Sequence, residues 1–223
     1  MRMQAVFCVS VFFVTLVARA EEGEQMALGA ITGIVDVRLS LSRERARPSV
    51  RELGSPDVRG RPDRTQSVVY LEMVPQGAFE ARPAGRAVLD QHQETFVPYA
   101  LPVTVGTTVQ FPNSDPIYHN VFSFSKPKRF DLGRYPQGRT KTVRFDRPGI
   151  VRVFCEIHSH MSAFILVFSH QYFASTDASG RYRIDDVPLG VYDVSVWTDG
   201  EVRTSKSVTV RAGAPVEIDF VVE

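Results

Sequence analysis

The sequence predicts an all-β chain of short, mostly antiparallel strands. Apolar and polar residues alternate in brief runs such as GIVRVFC and RTKTVRF, and SAFILVF is a further strand candidate. Proline and glycine interrupt these runs every few residues, and no long stretch repeats its apolar residues with the helical period. Strands this short at this spacing build an antiparallel sandwich or barrel.

The first twenty residues stand apart. Arg2 opens an apolar run from Ala5 to Val17, and Ala18-Arg19-Ala20 has the small-x-small form of a cleavage site. This pattern is expected of a secretory signal peptide over residues 1–20, since the run is too short for a comfortable membrane span. The expected mature chain is exported, periplasmic or secreted, and has no transmembrane segment. Removal of the leader discards Cys8 and leaves Cys155 without a partner for an intramolecular disulfide. A lone thiol in an oxidising compartment needs burial or a metal. The formal charge of +1 becomes −1 when Arg2 and Arg19 leave, which argues against nucleic acid as a general partner.

Ile31 to Leu41 (ITGIVDVRLSL) reads as the first strand and Ser67 to Val74 (SVVYLEMV) as the second. Between them, residues 43–64 hold seven arginines and three prolines with few large apolar groups. A solvated flexible loop is the expectation, with a basic docking arm as the alternative. From Ala87 the chain is densely β, with breaks at Pro98, Pro102, Gly106 and Pro112, then HNVFSFS, RTKTVRF, GIVRVFC and SAFILVF. In the last segment, turn chemistry at Asp177–Gly180 and Pro188–Gly190 separates alternating strands, followed by SKSVTV and VEIDFVV.

Thr176, Asp177, Gly180, Tyr182, Pro188, Gly190 and Tyr192 form the pattern T-D-x-x-G-x-Y…P-x-G-x-Y. This resembles the carboxypeptidase-regulatory-like, or transthyretin-like, β-sandwich, whose opening G-x-V strand fits Gly33-Ile34-Val35. The resemblance implies a discontinuous sandwich from residues 29–80 and 170–223, with another β-domain inserted at 86–169. Such modules usually carry no catalytic residues of their own.

The chemistry concentrates in FCEIHSHMSAF, where Cys155, His158 and Met161 form C-x2-H-x2-M at the end of an apolar β-run. Thirty-six residues before Cys155, His119 opens another apolar strand. Two imidazoles and a thiolate near a trigonal plane, with a weak axial thioether, make a copper electron-transfer site. The thiolate binds covalently, the imidazoles suit both copper valences, and a rigid β-scaffold limits reorganisation between them. Met161 reads either as the axial ligand or as core packing beneath the loop. His160 could replace Met161 or His158 as a ligand, but it alternates away from both neighbours in an extended loop and reads as a surface residue, as do His92 and His170.

At these positions the sequence resembles the cupredoxin family, with a ligand loop spaced as in amicyanin, in the manner of methylamine-utilisation or plastocyanin-like proteins. The resemblance implies a Greek-key sandwich over 86–169 and one type 1 mononuclear copper held by His119, Cys155, His158 and Met161. It also implies that Asn120, from the family's H-N pair, ties the two ligand loops together. VGTTVQFPNSD matches the family's G-x-x-V-x-F-x-N run from Gly106 to Asn113, whereas Ile157 stands where such loops often have proline.

Residues 126–152 hold nine cationic side chains against Asp131 and Asp146, a local charge of +7. They read equally as steering for an acidic redox partner or as solvent-facing strand residues. The expected function is an exported one-electron carrier between redox partner proteins, with copper storage or delivery through the same ligands as the alternative. Nothing points to an enzyme. A trinuclear oxidase centre needs several H-x-H motifs, and His158-Ser159-His160 is the sole pair. Ser/His/Asp sites and phosphate-cradling glycine loops have no support.

Overall fold

The computed structural model describes residues 27–38, 63–74 and 85–223. The stretch at 1–20 expected to be a leader and nearly all of the arginine-rich stretch at 43–64 lie outside the described residues. Two strands come first, β1 (Leu28–Val37) and β2 (Ser67–Leu71). Next are β3 (Arg86–Val88), β4 (Asp90–His92), β5 (Thr95–Val97), β6 (Ala100–Thr104), β7 (Thr108–Pro112) and β8 (His119–Ser123). Then come β9 (Phe130–Tyr135), β10 (Thr140–Arg144), β11 (Gly149–Phe154) and β12 (Ser162–Phe168). The last six are β13 (Phe173–Ser175), β14 (Arg181–Pro188), β15 (Gly190–Thr198), β16 (Glu201–Val210), β17 (Val216–Glu217) and β18 (Phe220–Val222). The described residues contain no helix, as the sequence predicts.

Pairing sorts these strands into two groups. A five-stranded sheet, β6-β12-β11-β8-β9, packs against β10-β7-β3, with β4 and β5 as a hairpin at one end. On β11 and β12 the alternate residues Val151, Val153, Ala163, Ile165 and Val167 turn inward, joining Val109, Phe111, Val121 and Phe145 in one buried core. Strands β1 and β2 pair with the last six instead, in the sheets β14-β1-β17, with β18 also on β1, and β13-β2-β15-β16. Their core holds Ile31, Val69, Leu71, Val194, Val196 and Phe220.

The T-D-x-x-G-x-Y residues each have a local task. Thr176 exchanges hydrogen bonds with Ser67, fixing β13 beside β2. The Asp177 carboxylate accepts from the amides of Ser179 and Arg181, and Gly180 takes the left-handed φ of +78° that the turn needs. Tyr182 donates its hydroxyl proton to the Ile218 carbonyl at 2.6 Å. Gly33 makes room for that carbonyl, because a Cβ there would stand 1.9 Å from Ile218 O.

The two groups meet on the outer face of the five-stranded sheet. Phe164 and Leu166 pack against Val68, Tyr99, Ala100 and Trp197, with Tyr70 and Phe168 at the border. Phe164 and Trp197 make an edge contact at 5.0 Å between centroids, and Tyr99 donates to the Asp199 carboxylate at 2.7 Å. Covering so much aromatic surface couples the groups energetically.

Two expectations are corrected. Phe130–Tyr135, which carried no strand expectation, forms the edge strand β9. His170 is buried rather than on the surface. Its Nδ1 accepts from the Tyr172 amide at 3.2 Å, and its ring lies against Phe168 and Tyr172. Burial pushes its pKa below the usual histidine value, as expected when charge is costly to desolvate. His92 is exposed.

Candidate metal centre

Three ligand-type side chains converge at one end of the first sandwich. His119 begins β8, Cys155 follows the last residue of β11, and His158 lies in the loop that leads back into β12. Antiparallel pairing of β11 with both β8 and β12 brings these distant positions to the same end. The loop is closed by two backbone bonds, Cys155 N to Met161 O at 3.3 Å and Met161 N to His158 O at 2.9 Å. Asn120 Oδ1 accepts the Glu156 amide at 2.7 Å and so joins β8 to the loop.

His119 Nδ1 and His158 Nδ1 are 3.0 Å apart, and each lies 3.7 Å from Cys155 Sγ. A triangle with those sides has its centre about 2.0 Å from every corner, the length of a metal–imidazole bond. Among the described residues, these three form the one group of histidine, cysteine or acidic side chains with metal-holding spacing. His119 and Cys155 are buried, and His158 is partly exposed.

The two buried ligand-type groups shift in opposite senses, the thiol toward its ionised form and the imidazole toward a proton that a metal would have to displace. Burial raises the Cys155 pKa, but hydrogen bonds from His119 and from the amides of Asn120, His158 and Ile157 outweigh it, so the thiol ionises below its usual range. Burial likewise opposes charge on His119, but Cys155 and Asp115 outweigh it and its pKa is raised.

Asp115 is the functional residue that the sequence reading missed. Its Oδ2 lies 2.8 Å from His119 Nε2, the nitrogen turned away from the triangle. A carboxylate there fixes the ring and leaves Nδ1 for a metal. Its other contacts are the amides of Gln93 at 2.6 Å and Glu94 at 2.8 Å, both residues with positive φ in the β4–β5 turn. Burial raises the Asp115 pKa, but the Glu94 amide, His119 and the Gln93 amide together hold it below the usual carboxylate range. Asn113 shapes this loop, accepting from the Asp115 amide and donating to Ile117 O and Tyr135 O.

The other singled-out residues are placed as follows. Met161 is 1% exposed and packs in the same core as Cys155. His160 is exposed, with Nε2 3.3 Å from Glu94 Oε2, outside the triangle. In the basic segment, Lys128 and Arg144 reach Asp146, Arg134 reaches Glu156, and Lys141 donates to Leu132 O.

Comparison with known proteins gives two kinds of likeness. Residues 162–223 match the family model of the carboxypeptidase regulatory-like domain, beginning at β12, which pairs in the five-stranded sheet. No curated protein matches the chain. Among solved structures, a copper-containing nitrite reductase from Thermus scotoductus SA-01 is 25% identical with TM-score 0.36, covering 40% of this chain and 23% of its own. A Cu(I) methionine-to-alanine mutant of amicyanin is 20% identical with TM-score 0.35, over 45% of this chain and 98% of its own. A purple cupredoxin from Nitrosopumilus maritimus is 23% identical with TM-score 0.31, over 43% and 95%. The likeness to a carboxypeptidase regulatory-like domain is thus confined to residues 162–223, and these solved structures each match less than half of the chain.

Proposed function

We propose that this chain is an exported type 1 copper protein that carries single electrons between redox partner proteins. The observation behind it is the triangle of His119 Nδ1, His158 Nδ1 and Cys155 Sγ. A three-cornered set of two imidazoles and a thiolate, with a buried thioether rather than a fourth strong donor, suits copper better than a tetrahedral structural zinc. His119, Cys155 and His158 would hold the ion, with Met161 as a weaker fourth donor. The bound ion supplies a one-electron couple.

The chain's own contribution is to keep the ligands still. Asp115 orients His119, Asn120 ties the β8 start to the Cys155 loop, and the buried core of the sandwich reaches Cys155 and Met161. Little rearrangement then opposes a change of valence. His158, partly exposed, brings one ligand ring toward solvent. No catalytic turnover of its own is part of this reading.

Titration of the purified mature chain with Cu(II) tests the proposal. An intense visible thiolate-to-copper band, absent in Cys155→Ser, is expected. No band with Cys155 intact would overturn it. Rapid electron self-exchange of the loaded chain separates a carrier from a storage or delivery protein, which would exchange slowly and hand Cu(I) to an acceptor.

A further inference from the structure

Among the described residues, the outer face of the five-stranded sheet is only half covered. Over β6 and β12 it is sealed by Val68, Tyr99 and Trp197. Over β8 and β11 no described residue covers it, and there Phe124 is 76% exposed and Ile150 is 43% exposed. Phe124 lies edge-on to Phe122 at 5.4 Å, and Phe122 stacks on Phe154 at 5.7 Å. Phe154 is joined by its peptide bond to Cys155. Packed rings and one covalent link therefore lead from the most exposed aromatic residue of the face to the proposed thiolate ligand.

The surround of Phe124 is cationic. The register that pairs Ser123 with Phe130 brings Arg129 alongside Phe124, and the pairing of Phe122 with Phe154 brings Arg152 level with it on the other side. The Arg152 amide donates to Ser125 Oγ at 3.0 Å, and its guanidinium caps the rings of Phe154 and Phe164. Lys126 follows two residues on, and all three cations are exposed. The nearby acids are partly engaged: Asp131 accepts the Gly133 amide and Glu156 pairs with Arg134. An apolar centre within a charged rim is the anatomy of a transient interface.

We infer that this face, centred on Phe124 and rimmed by Lys126, Arg129 and Arg152, docks an acidic one-electron redox protein. The inference rests on the copper reading above. A second copy of the chain would bring the same cations against themselves, which disfavours a symmetric pair. In the docked complex one electron leaves the partner's reduced centre and converts Cu(II) to Cu(I), entering through Phe154 and the Cys155 sulfur. No proton moves and no bond is made or broken.

The test uses reduced cytochrome b5 as an acidic one-electron probe, with the Cu(II)-loaded chain, its Phe124→Ser variant and its Arg129→Glu variant. Stopped-flow bleaching of the thiolate band should give a second-order rate that falls with added salt. Both substitutions should lower that rate, Arg129→Glu by about tenfold at low ionic strength, while the absorption spectrum stays unchanged. Rates unaffected by both substitutions would overturn the inference. So would a dimer that Phe124→Ser abolishes, or sedimentation with phosphatidylglycerol vesicles that Arg129→Glu abolishes. If no thiolate band forms, the copper reading fails separately. Calorimetric binding of cytochrome b5 to the metal-free chain then decides the surface alone: weaker binding in Arg129→Glu supports it, and equal binding overturns it.

Discussion

The Asp115 carboxylate stands 2.8 Å from Nε2 of His119, and both side chains are buried. Partners of this kind lock a ligand ring in one tautomer and one orientation. Asp115→Ala should weaken copper binding by about 10- to 100-fold, read by competition with a chelator. Asp115→Asn, which keeps an acceptor, should lose less. Equal affinities for the three proteins would mean that strand pairing alone aims the ring.

The same contact sets a pH dependence in the metal-free chain. The folded-state pKa of His119 is raised, so its charged form stabilises the fold below the unfolded histidine value, and this stability is lost as pH rises through the raised value. Asp115 is lowered, so its contribution is present above the unfolded carboxylate value and lost as pH falls through the depressed one. Urea midpoints measured across pH should show both losses, and Asp115→Ala should remove the acidic one and shrink the other. An imidazole titration of His119, followed by magnetic resonance, that ignores Cys155→Ser and Asp115→Ala would contradict this account.

Met161 combines packing and proposed ligation, and two substitutions separate them. Met161→Leu keeps the volume and should cost less than about 1.5 kcal/mol, while Met161→Ala leaves a cavity worth about 2–5 kcal/mol. If the thioether contacts copper, both should shift the visible band and the reduction potential. Spectra identical to the parent would leave Met161 as core packing.

Trp197 and Phe164 join the two groups of strands at a 5.0 Å edge contact. Either one replaced by alanine should lower unfolding stability by about 3–5 kcal/mol, and the pair should lose less than the sum because they share the contact. Denaturant unfolding followed by the single tryptophan in Phe164→Ala, and by circular dichroism in all three, measures this. Full additivity would mean that the strand groups do not lean on each other here.

Gly180 has φ of +78°, and a Cβ there would sit 2.4 Å from the Val35 carbonyl oxygen. Gly180→Ala should therefore cost more than about 1 kcal/mol, with the loss visible in the thermal midpoint. An unchanged midpoint would show that the turn can move away from β1.

The fold class was legible because alternation on β11 and turn residues such as Asp177 and Gly180 act locally. The convergence of Cys155 and His158 was equally visible, being a matter of spacing within one loop. Asp115 was not, because nothing in its neighbours announces that a hairpin turn from residues 93 and 94 will supply two amides to it. Strand β9 escaped for a different reason: Gly133 interrupts its pattern, and edge position leaves Asp131 and Arg134 exposed. His170 looked like a surface histidine since its burial comes from Phe168 and Tyr172 folding over it, a tertiary outcome that local polarity does not record.

Strands β2 and β13, which flank β3–β12 in the sequence, are neighbours, with Tyr70 opposite Phe173. Meanwhile β1 runs parallel to β18, with Val37 opposite Val222. In mechanical terms, tension applied between Leu28 and Val222 would load β1 in shear and bypass the strands that carry His119 and Cys155. A single-molecule pull from those ends should open the outer sheets first while the inner sandwich, and any colour it carries, survives the first rupture.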